Sequence, residues 1–225
     1  MTVSLERREN IDYSGWKPAS WKDYEQWRDS SKDCRGQLFF FHSYLLVENM
    51  SGEGFPHAQA SDLIRGIIFY WLGQHPETKA EMVSQCSLEK QGKLAAVPDI
   101  ALYLGEGIPS YQPGDLRAID LDQNRPPDLV VEIADTTLAS DLDRKKHLYE
   151  DMGVPEYWVV DVKGRRVFAF YLSEEGAYAE IEVSQVFSGL QIELVNQALE
   201  KLSDSNVAAA AWFNQQLSHQ EGKKV

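Results

Sequence analysis

Cysteine is nearly absent: Cys34 and Cys86 are the only two among 225 residues. Neither lies in a C-x-x-C spacing, so neither a zinc site nor a disulfide framework is indicated. No apolar run approaches the roughly 18 residues of a membrane helix. The first residues, MTVSLERRENIDYSG, lack the apolar centre of a secretory signal. A cytoplasmic protein with no membrane partner is the expectation. Basic charge is scarce as well. Lys and Arg number 22 against 35 Asp and Glu, for a net charge of −13. Proteins that grip phosphate backbones carry basic patches. Here the basic spots at 144–146 and 163–166 are isolated, which argues against strong non-specific DNA binding. Clustered acids suit a hard divalent cation such as magnesium, whose ligands are oxygens.

What is present is an ordinary globular composition, 43% hydrophobic and 25% charged. It suffices for one domain with appendages. We read a loosely ordered segment over 1–19, a domain over 20–203 and a helical tail over 204–225.

The chain is organised around residues 127–161, PDLVVEIADTTLASDLDRKKHLYEDMGVPEYWVVD. Residues 128–133 have strand chemistry. Ser140 and Asp143 have capping-box spacing, which predicts a helix over 140–152. Gly153 ends it and Pro155 prevents it resuming. Residues 157–162 form a second strand. Strand alternation puts Asp128, Val130 and Glu132 on one face and Leu129, Val131 and Ile133 on the other. Glu132 is thus an acid within an apolar run, either because that face is wet or because it serves a site. On the helix, Leu142, Leu148, Tyr149 and Met152 form a stripe with Lys145 near its middle. Asp143, His147 and Glu150 face water. Lys145 either snorkels to solvent or needs a carboxylate partner.

The rest of the chain predicts a helix over 20–28 and a hairpin over 37–48 turning at His42 and Ser43. SGEGFP is a loop, followed by a helix over 57–72. Strands are expected over 81–88 and 97–104, with a turn at 91–93 between them. The segment 105–127 is long for a loop and is a candidate lid or binding loop. Strands over 165–171 and 178–183 and helices over 190–200 and 208–219 complete the chain. Antiparallel pairing of 97–104 with 128–134 brings Asp99, at the start of the first, beside Glu132, near the end of the second. Lys145 reaches the same strand end. Two carboxylates on magnesium can orient and acidify a water, and a lysine can steady the developing charge. The other reading has Asp99 capping a turn and Lys145 merely neutralising Glu132.

The segments PDIALYL, PDLVVEIADTTLASDLDRKKHLYEDMGVPEYWVVD and RRVFAFYL resemble the Uma-two family of bacterial restriction-endonuclease-like proteins, within the PD-(D/E)XK nuclease superfamily. The D-x-x-x-K-x-x-x-Y spacing of Asp141, Lys145 and Tyr149, followed by GVPEYWVVD, carries it. The resemblance covers roughly 20–200. It implies an α/β (α+β) fold: a restriction-endonuclease-like mixed sheet flanked by helices, with extra N-terminal strands and C-terminal helices. It implies a metal-dependent endonuclease in which Asp99 and Glu132 bind Mg2+ or Mn2+ and Lys145 is the catalytic lysine. The superfamily lysine would stand two residues beyond Glu132, where this chain has Ala134, so Lys145 would be a migrated equivalent. Asp128 and His57 are secondary candidates. Glu48 is the nearest acid to a segment where the commoner family pattern is acidic. DNA as substrate and a homodimer are implied by analogy. The rival expectation, from the low basic charge and Ala134, is a catalytically inactive interaction module on the same scaffold.

Overall fold

The computed structural model describes residues 15–30, 36–49, 54–115 and 117–221. Residues 1–14 of the expected loose segment, Cys34 and part of the SGEGFP loop lie outside these.

Two six-stranded sheets form the body. The first runs in the order β1 (Lys17–Pro18), β3 (Tyr44–Asn49), β2 (Gly36–Phe41), β6 (Leu94–Ala96), β5 (Ser87–Lys90), β8 (Ala118–Asp120). The second runs β12 (Tyr178–Glu180), β11 (Arg166–Leu172), β10 (Glu156–Asp161), β9 (Leu129–Ala134), β7 (Ile100–Leu104), β4 (Ala80–Val83). In the second sheet β9 and β10 are parallel and the other pairs antiparallel. Both sheets are mixed, and the α+β expectation holds.

The helices are α1 (Trp21–Asp29), α2 (Phe55–Gln74), α3 (Leu138–Leu142), α4 (Arg144–Met152), α5 (Ile192–Glu200) and α6 (Asn206–Glu221). Each covers an apolar sheet face or another helix. Leu63, Ile64, Ile67 and Ile68 of α2 are fully buried, each contributing about 1.5–3 kcal/mol by leaving water. They pack with α5, α6 and the Leu129–Val131–Ile133 face of β9. The opposite face, with Val130 and Ala134, meets the first sheet and α4 through Phe39, Leu46, Leu148 and Tyr149. The reading in which one face of β9 is wet is therefore corrected: all six of its residues are buried. α1 lies on the outer face of the first sheet through Tyr24, Trp21 and Trp27. Ser20 and Asp23 form its capping box.

Local chemistry explains most of the turns. His42 and Ser43 both have positive φ, at 47° and 63°, as a two-residue primed hairpin turn requires. Gly153 is left-handed at φ 77° and ends α4. Pro56 stands in the first turn of α2, where its missing N–H costs nothing.

Two expectations are corrected. The strand over 81–88 is two strands in different sheets, separated at Gln85, whose φ is 53°. The helix over 140–152 is two helices, because Asp143 leaves helical geometry at φ −116°, ψ −96°. Ser140 does not cap: its Oγ accepts from Trp16 Nε1 at 3.3 Å. The connection over 105–127 is partly ordered by its own contacts. It contains β8, and Arg125 fastens it by donating to the Glu106 carbonyl at 3.0 Å and the Leu104 carbonyl at 2.6 Å.

Candidate functional site

The site forms where the two sheets face each other. The β7–β9 register pairs Ile100 with Val131. Asp99, one residue before β7, therefore lies at the Ile133 end of β9, and its Oδ2 accepts from the Ile133 N–H at 2.7 Å. Glu132 points to the inter-sheet face that it shares with Val130 and Ala134. From the first sheet come Gln37 and Glu48, directly opposed in the β2–β3 hairpin. They share faces with Phe39 and Leu46, which pack in the same layer. α4 supplies Lys145 and the first turn of α2 supplies His57. These residues, with Asp135, Thr136 and Thr137 after β9, enclose a cavity of about 70 Å³.

Lys145 is the hub. Its side chain is 1% exposed. Its Nζ lies 2.9 Å from Glu48 Oε2, 2.9 Å from Asp141 Oδ1 and 3.5 Å from Glu132 Oε2. Its ammonium also sits 4.1 Å from the Phe39 ring centre, a cation–π contact. Asp99 is held by three donors or partners: the Ile133 N–H, Gln37 Nε2 at 3.1 Å and His57 Nε2 at 3.3 Å. Glu132 Oε1 accepts from the Tyr149 hydroxyl at 2.6 Å. Thr137 Oγ1 donates to Asp141 Oδ2 at 2.6 Å.

The electrostatics follow from four carboxylates around one ammonium. Burial pushes the Glu132 carboxyl well above its ordinary value. Lys145 opposes this, while Asp99, Asp141 and Glu48 add to it. Glu48 is raised for the same first reason, burial, against the pull of Lys145. Asp99 goes the other way: burial raises it, but His57, the Ile133 N–H and Lys145 outweigh that and hold it low. Burial alone would discharge Lys145, yet Glu132, Asp141 and Glu48 raise it well above the usual lysine value. The three carboxyl groups thus favour the charged form of Lys145.

Of the residues singled out in the sequence, Asp99, Glu132, Lys145 and His57 come together. Asp128 does not. It immediately precedes β9, roughly 13 Å along the chain from Glu132 at about 3.3 Å per residue. Its Oδ2 accepts from the Leu104 N–H at 2.6 Å and Arg125 Nη1 at 2.8 Å. It anchors the long connection instead. Glu150 is also not simply in water, since it accepts from the Tyr178 N–H at 2.8 Å. Sequence reasoning missed Gln37 and the closeness of Asp141 to Lys145, and placed Glu48 only as a neighbour. The signal for Glu48 was available: it is an acid inside the apolar alternation of β3, as Glu132 is in β9.

The donor chemistry fits a hard divalent cation. Glu48, Asp99 and Glu132 offer carboxyl oxygens to one cavity, alongside Lys145 and His57. Among the described residues no group of three or more His, Cys, Asp or Glu side chains is arranged so as to hold a metal ion. The carboxylates face a shared space, with Lys145 Nζ between them.

Fold and centre together define a mixed α+β domain with a buried carboxylate–lysine cluster between its sheets. The family model Uma2, described as "Putative restriction endonuclease", matches residues 21–208, and the chain belongs to that family. It is also similar to a solved structure from Anabaena variabilis ATCC 29413, titled a putative nuclease belonging to DUF820. The identity is 17% and the TM-score 0.48, over 72% of this chain and 90% of that one. No curated protein matches.

Proposed function

We propose that the protein is a divalent-metal-dependent endonuclease that hydrolyses phosphodiester bonds in nucleic acid, with DNA as its substrate. Family membership supports the nuclease class. The observation that carries the metal dependence is the gathering of four carboxyl groups, Glu48, Asp99, Glu132 and Asp141, around the single ammonium of Lys145. Asp99 and Glu132 would hold Mg2+ or Mn2+, and Glu48 would join them. When bound, the cation supplies Lewis-acid stabilisation of a phosphoryl group and acidifies a water.

The chain's own groups do the rest. His57 Nε2, Gln37 Nε2 and the Ile133 N–H fix the orientation of Asp99. Lys145 holds its proton on Nζ and keeps a positive charge at the cavity wall, lowering the cost of charge that develops on a phosphoryl oxygen. Asp141 keeps that ammonium in place. The walls from both sheets limit bulk water, which strengthens each of these interactions.

Purified protein with Mg2+ or Mn2+ and a panel of DNA and RNA tests the reading. Cleavage is expected, and it should vanish in Asp99→Ala and Glu132→Ala. Cleavage that survives both substitutions overturns the site. Absence of cleavage together with absence of cation binding favours the interaction-module reading, which Ala134 and the burial of Lys145 support. Two-strand cutting by one centre per chain further suggests a homodimer, and a monomer in light scattering at micromolar concentration contradicts it.

A further inference from the structure

A carboxylate that is to serve a cation must have its two oxygens assigned. Glu132 Oε1 is occupied by the Tyr149 hydroxyl at 2.6 Å, while Oε2 lies 3.5 Å from Lys145 Nζ. Glu132 lines the cavity together with Asp99 and Glu48; Tyr149 is not part of that wall. The phenol therefore reaches the carboxylate from within the protein. It is fully buried, and its ring packs against Tyr157 at 5.0 Å between centroids. Tyr157 in turn donates to the Asp141 carbonyl at 3.0 Å. Lys145 and Tyr149 are one helical turn apart on α4, so a single helix face carries both groups that touch Glu132.

We propose that Tyr149 is a positioning residue for Glu132: by occupying Oε1 it turns Oε2 toward the cation. This rests on the reading of the cavity as a metal centre. Without the phenol oxygen, Oε1 is a buried acceptor with no donor, and the carboxylate gains by rotating toward Lys145. Partners of metal ligands typically matter by roughly 10- to 100-fold in affinity.

The test is Mn2+ titration calorimetry on the full chain, with thermal melting in the same buffer. Three proteins are compared: wild type, Tyr149→Phe and Tyr178→Phe. Tyr178 is the matched control, a buried phenol that donates to the Val154 carbonyl at 2.7 Å and touches no carboxylate of the cluster. Both variants lose one buried hydrogen bond and should melt lower. Only Tyr149→Phe should bind Mn2+ more weakly, by roughly 10- to 100-fold, and gain less in melting temperature from it. Wild-type affinity in Tyr149→Phe, or equal weakening in both variants, overturns the positioning role and leaves the metal reading standing. A Tyr149→Phe chain unfolded at the assay temperature overturns it too, because the phenol's role would then be the fold. A wild-type chain that takes up no Mn2+ overturns both.

Discussion

Glu132 and Glu156 are buried on neighbouring parallel strands of one sheet, and their surroundings are opposite in kind. Glu156 opens β10 and is saturated by neutral donors. Trp158 Nε1 and Ser184 Oγ donate to its Oε1 at 2.6 and 2.7 Å, and the N–H groups of Gln185 and Val186 donate to its Oε2 at 2.8 and 2.9 Å. It ties the turn before α5 to the sheet. Glu132 receives a single hydroxyl and faces three other carboxylates and one ammonium. A buried acid with a full set of neutral donors needs nothing further. One crowded by its own sign calls for a cation. Burial of an acid therefore does not mark a site; the charge of its neighbours does.

The largest effect should come from breaking the saturated partner. Glu156→Ala strands two backbone N–H groups, an indole and a hydroxyl, each costing about 1–3 kcal/mol. Urea denaturation should show a loss of about 4 kcal/mol or more, with cation binding in the surviving folded fraction unchanged. Lys145→Met follows, at about 3–5 kcal/mol, since it leaves buried carboxylates without their counter-charge. Unlike the first loss, this one should be partly restored by millimolar Mn2+. A neutral Lys145→Met would mean that the cluster is not ionised.

Glu132→Gln sharpens the contrast through pH. The raised Glu132 carboxyl makes the folded chain hold a proton that the unfolded chain releases near its ordinary value of about 4.3. Its contribution is full below that value and is lost as pH rises toward the raised folded value. Glu48 acts in the same direction. Asp99, held low, acts in the opposite one, adding stability above the ordinary carboxylate value that is lost in acid. Without cation, the melting temperature of Glu132→Gln relative to wild type should rise as pH goes from about 5 to about 8. The smallest effect is expected for Asp128→Asn, about 1 kcal/mol from a part-exposed ion pair, with no change in cation binding.

Much of this was legible in the chain. Period-two alternation put Glu132 on the correct face, and the antiparallel pairing of its strand brought Asp99 beside it. Helical periodicity placed Lys145 in a buried stripe. What was not legible depended on the first sheet. Residues 81–88 look like one strand because nothing in their side chains announces the kink at Gln85. That kink sends β5 to the other sheet, which frames the cavity. Glu48 and Gln37 reach the site only through that sheet-on-sheet contact. The break at Asp143 was equally silent, because Ser140 and Asp143 imitate a cap that Trp16 claims instead.

Anomalous diffraction from a crystal grown with manganese tests the central claim most directly. A peak is expected within the cavity bounded by Glu48, Asp99 and Glu132, with Lys145 remaining on Asp141. Manganese found only elsewhere, with Lys145 still joining Glu48 to Asp141, would contradict it.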